Sequence, residues 1–387
     1  MMRILVLTPT FVPMVGGAEI MLLEVYRRLA EHHEVCLLTV DKGLPPSDLD
    51  HLINFQVVRY RDRFSFMKFR GHRLTGGIVP PFSLSAVSAT CQIITDFHPD
   101  VLNAHYMAST GLAAVVAQKR FGVPSVLTFT GRDVPGPRIP WFWKYYERWV
   151  AHSVTEITYV SEYCRQAIYG PGARRRGITI FSGVDLERFN PHLDGLCIRQ
   201  RLGLSSDVPV LFAVQRLSPE KRVDIIVRAM PHVLREHPKT VFVIGGTGKS
   251  EPKLVSLVQQ LGLEQSVRFT GYIPGADLPL YYAMCDIFVF HSTYETFGIV
   301  LAEAMAAGKP IVSVRSTAIP EVVTDGETGI LVPSLDVQAI ADKVIYLLDT
   351  PAERVRLGRN ARAWAERHFD WNVIASQYEA VLEAASR

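Results

Sequence analysis

The sequence has no pair of cysteines with C-x-x-C spacing, although five cysteines are dispersed along it. An odd, scattered set predicts reduced thiols, and the missing pair argues against a structural zinc ion. The first apolar run, residues 4–7, is too short for the core of a signal peptide. The uncharged segment 74–95 contains Pro80, Pro81 and many hydroxyl side chains, which is not typical of a membrane span. We therefore expect a cytoplasmic protein that lies at most peripherally at the cytoplasmic face of a membrane.

The chain also lacks a marked excess of charge of either sign. It has 41 lysines and arginines against 38 aspartates and glutamates, which gives a formal net charge of +3. Such a balance does not predict a nucleic-acid-binding protein, so any affinity for anions must come from local placement. Tandem repeats and low-complexity tracts are missing as well. A length of 387 residues fits two domains, each with its own core.

Short β-rich runs alternate with amphipathic stretches from end to end, a pattern that predicts α/β domains with parallel sheets. The strands predicted in the first half are residues 4–7, 35–39, 56–60, 101–104, 125–129 and 157–160. Those predicted in the second half are residues 210–214, 240–244, 267–270, 287–290, 311–314 and 329–332. The polar segment 187–207 separates the two series and marks the predicted domain boundary. In doubly wound sheets, ligands bind at the carboxyl ends of the strands.

The most informative segment is TYETFGIVLAEAMAAGKPIV, residues 293–312. It predicts a helix that starts at Gly298 and ends at Gly308, with Glu295 before the helix and Glu303 inside it. The unpaired amides of the first turn favour an anion such as phosphate. Glu303 lies further along the helix, where its carboxylate can accept hydrogen bonds from vicinal hydroxyls. A nucleoside diphosphate with its ribose fits this arrangement.

These two glutamates, with Phe297 and Gly298 between them, resemble the donor-site signature of retaining glycosyltransferases of family 4. The resemblance extends over nearly the whole chain and implies the GT-B fold, in which two Rossmann-like, doubly wound domains face each other across a cleft. An N-terminal acceptor-binding domain would comprise residues 1–187 plus 371–387, because the terminal helix crosses back to the first domain in this fold. Residues 188–370 would form the C-terminal domain that binds the nucleotide-sugar donor.

Two basic residues, Arg216 and Lys221, follow the predicted strand 210–214. A guanidinium can hold two phosphate oxygens, and an ammonium can add a point charge. Together they can offset the charge on a departing nucleoside diphosphate, a role that a divalent metal has in other enzymes. Basic residues at a helix start are often ordinary surface residues, but this spacing resembles the family's phosphate clamp. Arg222 is a departure, because many relatives have glycine there.

Two glycine-containing turns lie between strands and helices. Gly16 and Gly17 would let backbone amides approach a ligand, although an ordinary tight turn has the same signature. They resemble the family's glycine loop, which lies against the donor diphosphate. The later segment IGGTGKS, residues 244–250, is not a P-loop, because Val243 stands where that pattern requires glycine. It resembles the glycine loop of the family's second domain.

The resemblance also assigns nucleotide contacts by position. The segment 269–273 resembles the family's segment whose backbone reads the nucleobase edge. The predicted donor and nucleotide contacts are Gly16, Gly17, Arg216, Lys221, Tyr272, Ile273, Phe297, Gly298, Ile299 and Glu303. The predicted catalytic residues are His105, Arg216, Lys221 and Glu295.

His105 ends a predicted strand of the first domain, where a lone histidine is more often structural than catalytic. Many relatives carry H-x-H here, and the second histidine contacts the transferred sugar or its phosphate. His105 takes that place, whereas Asn103 replaces the first histidine. The segments 130–133 (TGRD) and 181–185 (FSGVD) resemble the family's H-G-x-D and N-G-V-D, with Thr130 and Ser182 as departures. The acceptor side can therefore differ from that of better-known relatives.

Two stretches combine aromatic and basic residues, 59–73 (RYRDRFSFMKFRGHR) and 141–149 (WFWKYYERW). One interpretation is a solvated basic face with the rings packed inward. The other is that they line an acceptor site for a lipid-linked or anionic acceptor, because rings and arginines suit a lipid interface.

The sequence thus predicts a retaining glycosyltransferase that moves a sugar from a nucleotide-diphosphate sugar to a hydroxyl acceptor, without a cofactor or metal. The D-x-D at Asp48 and Asp50 is interpreted as solvated. A glycosidase that uses Glu295 and Glu303 as acid and nucleophile is less consistent with a phosphate clamp. The remaining alternative is a nucleotide-sugar epimerase or a non-catalytic nucleotide-sugar binder.

Overall fold

The computed structural model describes residues 1–14, 16–63, 82–131, 141–169 and 176–387, with the side chains of 141–144 and 168–169 left out. The described chain forms two compact units. One comprises Met1–Ser182 and Trp371–Arg387, and the other comprises Gly183–Asp370. The division falls after Ser182, whereas the sequence placed the boundary after residue 187.

Both units are built on a sheet of parallel strands. The strands of the first unit are β1 (Arg3–Thr8), β2 (Glu34–Val40), β3 (Gln56–Tyr60), β4 (Val101–His105), β5 (Ser125–Phe129), β6 (Glu156–Tyr159) and β7 (Ile178–Thr179). Those of the second unit are β8 (Val210–Val214), β9 (Val241–Gly245), β10 (Val267–Gly271), β11 (Ile287–Val289), β12 (Ile311–Val314) and β13 (Ile330–Val332). Every predicted strand is confirmed to within one residue at each end. Among the strands that the structure describes, only the two-residue β7 was not predicted, because it is too short to give a pattern.

Helices connect the strands of the described chain, except that β2 and β3 are joined by a segment with only the short 3-10 turn Asp50–Leu52. In the first unit they are α1 (Gly17–Leu29), α2 (Leu84–Phe97), α3 (Met107–Phe121), α4 (Trp141–Ser153) and α5 (Glu162–Tyr169). The second unit contains α6 (Leu196–Arg201), α7 (Val223–Glu236), α8 (Glu251–Gln260), α9 (Leu278–Met284), α10 (Ile299–Ala306), α11 (Ile319–Val322), α12 (Val337–Asp349) and α13 (Pro351–His368). The last helix is α14 (Trp371–Ser386).

Helix α14 belongs to the first unit, as the resemblance implied. It packs against α1 and against strands β4 and β5. Its buried face includes Trp371, Ile374, Tyr378 and Leu382, at the spacing of one side of a helix. These side chains share a hydrophobic core with Tyr26 of α1. The chain terminus therefore completes the core of the first sheet.

The strand order fixes where each sheet can bind a ligand. In the first unit the order is β3-β2-β1-β4-β5-β6-β7, and in the second it is β10-β9-β8-β11-β12-β13. The connections turn in opposite directions on either side of the pairs β1/β4 and β8/β11. Doubly wound sheets bind ligands at the carboxyl ends of strands at such switch points. The loops that follow β1, β4, β8 and β11 are therefore the places to look for a site.

Candidate functional site

The loops after β8 and β11 are joined at the switch point of the second sheet. The backbone N–H of Thr293 donates to the carbonyl of Glu220 over 2.9 Å, and the Thr293 hydroxyl donates to the same oxygen over 3.0 Å. The hydroxyl of Ser316, after β12, donates to the carbonyl of Thr293 over 3.3 Å. Segments that are distant in sequence therefore form one continuous surface of the second unit.

Lys221 and Glu295 meet on this surface, although 74 positions separate them. The ammonium of Lys221 donates to Oε1 of Glu295, and the two side chains are only 16% and 12% exposed. The backbone N–H of Glu295 is held by the hydroxyl of Thr317 over 2.9 Å. Because an ammonium carries three donors, Lys221 can contact a phosphate oxygen while it remains bonded to Glu295. The structure thus brings together two residues that the sequence predicted separately.

Arg216 leaves the same strand end but does not join this ion pair. Its side chain is 72% exposed and lies 3.4 Å from Oε1 of Glu220. That oxygen also accepts a hydrogen bond of 2.5 Å from the Ser218 hydroxyl. Exposed ion pairs contribute little stability, so the guanidinium can turn toward a ligand at small cost.

The predicted helix start is confirmed at Gly298, which precedes α10 with φ 89° and ψ 66°. This left-handed conformation favours glycine because it lacks a Cβ. Within the described residues, no side chain caps this helix. The N–H of Leu301 donates to the carbonyl of Gly298 over 2.9 Å. The N–H groups of Ile299 and Val300 remain available to an anionic group, as expected for a phosphate-binding helix start. Phe297 beside it is buried, whereas Ile299 is partly exposed.

Glu303 lies in the next turn of α10 and has a partner that the sequence did not predict. The hydroxyl of Tyr282 donates to Oε2 of Glu303 over 2.8 Å and lies 3.1 Å from the carbonyl of Val300. The tyrosine ring is packed edge-on against Phe189 and Phe212, with centroids 5.6 Å and 5.4 Å away. Burial raises the pKa of Glu303 to about 7, although the tyrosine hydrogen bond acts in the opposite direction. No spacing rule connects Tyr282 with Glu303, so the sequence carried no local signal for this contact.

The glycine loop after β9 is packed against the loop after β8. Gly246 has φ 107°, and a Cβ there would lie 2.0 Å from the carbonyl oxygen of Gln215. A Cβ on Gly248 would lie 2.2 Å from the carbonyl oxygen of Leu217. Any side chain at these positions would force the two loops apart. The glycines therefore hold the residues around Arg216 in place.

Tyr272 and Ile273 follow β10 at the same sheet edge and differ in burial. Tyr272 is 76% exposed, whereas Ile273 is buried and lies against Gly245. Their predicted contact with a nucleobase stays a prediction.

Arg222 adopts a left-handed backbone conformation, which favours glycine. Its φ is 43° and its ψ is 40°, between the short 3-10 turn Pro219–Lys221 and α7. Its guanidinium donates two hydrogen bonds to Asp224, at 2.9 Å and 3.0 Å.

In the first unit, the glycine loop is built around a buried carboxylate. Oε1 of Glu19 accepts a hydrogen bond of 2.6 Å from the Thr10 hydroxyl. A Cβ on Gly16 would lie 2.6 Å from Oε2 of Glu19, and Gly17 begins α1. A side chain at Gly16 would therefore require the Glu19 carboxylate to move. The predicted contact of Gly16 and Gly17 with a diphosphate stays a prediction, and Val15 lies outside the described residues.

The structure places His105 in the core of the first unit rather than on its surface. The ring has no exposed area, and its Nε2 lies 2.7 Å from the hydroxyl of Tyr26. Burial lowers the pKa of His105 to about 3, so the ring is neutral. Asn103, two residues earlier on the same face of β4, accepts a hydrogen bond of 2.8 Å from Thr128. A sugar could reach His105 only after side chains move, and its predicted catalytic contact stays a prediction.

One group of potential metal ligands occurs among the described residues: His33, Glu379 and Glu383, with ligand atoms within 4.8 Å of one another. Nδ1 of His33 lies 3.1 Å from the backbone N–H of Met2, so it acts as the acceptor. Nε2 then carries the ring proton and donates it to Glu379 over 2.7 Å. A metal ion would need the lone pair that this proton occupies. We therefore interpret the group as a histidine–carboxylate hydrogen bond.

Several predicted features lie partly outside the described residues. Arg132 and Asp133 of the TGRD segment lie outside, as do residues 64–73 of the first aromatic-basic stretch. In the second stretch, Tyr145 and Trp149 on α4 are 62% and 42% exposed, and the ammonium of Lys119 lies 5.6 Å from the Trp149 ring centre. Among the helices that the structure describes, none combines the length and apolar character needed to cross a membrane.

Two family models match the chain, one in each unit. Residues 16–182 match the model described as "Glycosyl transferase 4-like domain". Residues 197–364 match the model described as "Glycosyl transferases group 1". The second match contains the β8/β11 switch point, and the first begins after β1 and contains β4.

Curated relatives and a solved structure agree with these matches. A GDP-mannose-dependent alpha-(1-6)-phosphatidylinositol monomannoside mannosyltransferase of Mycolicibacterium smegmatis is 35% identical over 61% of this chain and 64% of its own length. The D-inositol 3-phosphate glycosyltransferase of Thermomonospora curvata is 30% identical over 96% of this chain and 91% of its own length. The crystal structure of Anabaena HepE in complex with UDP is 22% identical, covers 99% of this chain and 100% of its own, and has a TM-score of 0.79.

Proposed function

Since this chain belongs to the family 4 glycosyltransferases of GT-B fold, we propose that it transfers a sugar from a nucleotide-diphosphate sugar to a hydroxyl acceptor with retention of configuration. Use of a nucleotide-sugar donor follows from the family; retention, independence of a metal ion and the acceptor class are the proposal. The observation that carries it is the Lys221–Glu295 pair at the β8/β11 switch point, beside the uncapped start of α10.

The leaving diphosphate would be held by two cationic side chains and by backbone amides. Lys221, Arg216 and the first-turn amides of α10 can surround it, and together they would offset the charge that develops as the sugar departs. Preorganised donors of this kind make a divalent cation unnecessary for that task. We therefore propose that transfer needs neither a cofactor nor a metal ion.

The two glutamates would have different partners. Glu295, fixed by Lys221 and Thr317, is proposed to accept hydrogen bonds from the hydroxyls of the donor sugar. Glu303, fixed by Tyr282, is proposed to accept them from the ribose. Lys221 would then contact both the phosphate and the carboxylate of Glu295, which holds the sugar. The position of the donor and the compensation of its charge would both depend on this one side chain.

Retention would follow from attack on the face that the diphosphate leaves. The bond from the sugar's anomeric carbon to the phosphate oxygen breaks, and a bond to the acceptor oxygen forms. The acceptor's proton passes to the departing phosphate oxygen. No nucleophilic side chain of this protein is required for this step.

For the acceptor, we propose a hydroxyl of an inositol phosphate, either free or lipid-linked. The relatives named above act on phosphatidylinositol monomannoside and on D-inositol 3-phosphate, so the inositol phosphate is what their acceptors share. A lipid-linked acceptor would require peripheral contact with a membrane. The exposed Tyr145 and Trp149 beside Lys119 are suited to such contact.

Two measurements test the proposed reaction. Thermal shift with UDP, GDP and ADP identifies the nucleotide, because a ligand of the folded state raises the melting temperature. A panel of sugar donors with that nucleotide is then incubated with D-inositol 3-phosphate, with and without EDTA. We expect acceptor-dependent release of the nucleoside diphosphate, a product with the donor's anomeric configuration, and the same rate in EDTA.

Other outcomes would contradict specific parts of the proposal. Interconversion of donor sugars without an acceptor would indicate an epimerase, and binding without release for every acceptor would indicate a nucleotide-sugar binder. Loss of activity in EDTA that returns with a divalent cation would disprove metal independence. An inverted product would disprove retention.

A further inference from the structure

A cavity in the same unit, which we call the flank cavity, lies between helices α7 and α8 and the loops that precede them. It measures about 790 Å³ and is formed by the loop after β8 and by helices α7 and α8. None of Arg216, Lys221, Glu295, Gly298 and Glu303 lines it. Its volume is within the range of small-molecule sites, which is roughly 300–1,000 Å³.

The floor of this flank cavity is apolar. Leu217 and Val223 come from the loop and the start of α7, and Leu254 and Leu257 come from α8. All four side chains are buried in the core of the unit. A ligand seated here would therefore place an apolar or aromatic body against the helices.

The rim of the cavity is basic. Arg222 and Arg228 stand on α7 or just before it, and Lys253 stands on α8. Asp224 is the acid on this rim, and its carboxylate is occupied by the two hydrogen bonds from Arg222. Asp224 attracts Arg228 electrostatically, but neither Arg228 nor Lys253 forms a hydrogen bond or salt bridge with a described residue. The rim thus has more positive charge than its own acid can balance.

Two consecutive residues, Lys221 and Arg222, belong to the donor site and to the cavity rim respectively. Lys221 extends to Glu295 at the strand ends, whereas Arg222, the next residue, extends to Asp224 on the cavity rim. The left-handed backbone at Arg222 produces this change of direction. The two sites are therefore adjacent in sequence, but Lys221 and Glu295 do not line the cavity.

From this combination we propose that the flank cavity is a second binding site, which takes a small amphipathic anion. Such a ligand has an apolar or aromatic body for the leucine floor and a carboxylate, sulfonate or phosphate group for Arg228 and Lys253. This site goes beyond the proposed function, because the transfer reaction does not need it. Its occupant contacts the residue next to Lys221 without contacting the nucleotide.

Anilinonaphthalene sulfonate is a suitable probe, because it combines an aromatic body with one anionic group and becomes fluorescent when bound. Phenylnaphthylamine has the same rings without the sulfonate and serves as the neutral comparison. We expect saturable binding of the sulfonate to the full chain and binding of the neutral probe that is at least about tenfold weaker, since a charge-assisted contact is lost. Excess UDP or GDP should leave the sulfonate bound.

Matched variants locate the binding. Arg228→Glu combined with Lys253→Glu should weaken sulfonate binding at least about tenfold. Arg359→Glu combined with Lys343→Glu makes the same change in net charge on α13 and α12, outside the cavity, and should leave binding unchanged. Ser256→Trp fills the cavity without a change of charge and should also weaken binding. Melting temperatures confirm that each variant is folded.

Three results would overturn the proposal. They are equal binding by the rim variant and its charge-matched control, equal affinity for the neutral probe, and displacement of the sulfonate by UDP or GDP. The last result would make the cavity part of the nucleotide site. Because nucleotide binding is measured in parallel, a failure here leaves the proposed transfer reaction untouched, and a failure of transfer leaves this test valid.

Discussion

The two switch points have the same topology but carry their polar side chains in different places. At the second sheet, Lys221 and Glu295 lie on loops beyond the ends of β8 and β11, partly open to solvent. At the first sheet, Asn103 and His105 lie on strand β4 itself, with no exposed area. Lys221 and Glu295 form a charged ion pair, whereas His105 is neutral and forms a hydrogen bond with Tyr26.

The difference shows that a polar side chain acts differently when it lies on a strand than when it lies a few residues beyond the end of the strand. Side chains on a strand point perpendicular to the sheet and meet the covering helices. Side chains on the following loop lie at the sheet edge, where a ligand binds. His105 is on strand β4 and contacts α1, whereas Lys221 lies beyond the end of β8 and contacts Glu295 on the loop after β11. The comparison predicts that changes at the second edge alter catalysis and that changes beneath the first sheet alter stability.

The largest effect is expected from Lys221→Ala or Glu295→Ala. Loss of the ammonium or its carboxylate partner removes charge compensation and donor positioning, so kcat should fall by about 10²–10³-fold. Steady-state rates with the identified donor and acceptor measure this change. Arg359→Ala removes an exposed cation on α13 and should keep the parent rate. Full activity of either site variant would contradict the assigned roles.

Tyr26→Phe should act mainly on stability. It leaves Nε2 of the buried His105 without its hydrogen-bond partner, which costs about 1–3 kcal/mol of unfolding free energy. Urea denaturation measures the loss, and kcat should remain within about twofold. Tyr346→Phe, which removes an exposed hydroxyl on α12, is the control.

A different result for Tyr26→Phe would contradict the distinction between the two sheets. A large fall in kcat at unchanged stability would mean that the orientation of His105 matters for the sugar. It would support the catalytic contact predicted from the sequence.

Donor binding should depend on pH through Glu303. Its pKa of about 7 means that the carboxylate, which accepts hydroxyl protons, predominates only above neutrality. Lowering the pH from 8 to 6 protonates most of the group, so the Kd of the nucleotide sugar should rise about tenfold. Isothermal titration at several pH values measures this. A nucleotide sugar is the appropriate ligand because its diphosphate does not titrate in this range.

Two variants assign the pH dependence to Glu303. Glu303→Gln should weaken binding and flatten the profile. Tyr282→Phe removes the hydrogen bond that stabilises the carboxylate, so the midpoint should move to higher pH. His291 has a pKa lowered to about 4 by burial and does not titrate in this range. A profile that keeps its midpoint in Glu303→Gln would reject the assignment.

The smallest effect is expected at Arg222, where two variants distinguish the contribution of the left-handed backbone from that of the side chain. Both Arg222→Gly and Arg222→Ala lose the ion pair with Asp224, but only glycine adopts a φ of 43° without strain. The glycine variant should therefore be more stable than the alanine variant by about 1 kcal/mol in urea denaturation. Equal stability would mean that the left-handed turn relaxes when arginine is removed.

Much of this architecture could be predicted from local patterns. The strands, the start of α10 at Gly298 and the positions of Lys221 and Glu295 near strand ends all follow from short-range signals, and the structure confirms them. The partners of these residues could not be predicted. Tyr282 lies 21 positions from Glu303, and Tyr26 lies 79 positions from His105. Hydrogen bonds over such separations leave no periodicity in the chain.

His105 shows where a local signal was available but insufficient. Val101, Asn103 and His105 alternate along β4 and must share one face of the sheet. A strand in the middle of a parallel sheet is covered on both faces, which already favours burial. The packing of α1 and α14 decides which helices cover that face. It also places Tyr26 opposite the His105 ring.

The amino-acid sequence alone determined the alternation of strands and helices, the family and the set of charged residues that follow β8 and β11, because each depends on neighbours a few positions apart. Tertiary packing alone decided which of those residues touch, the neutral state of His105, the raised pKa of Glu303 and the cavity beside α7 and α8. Contacts and pKa values depend on distance and burial, and these exist only once remote segments have been brought together by folding.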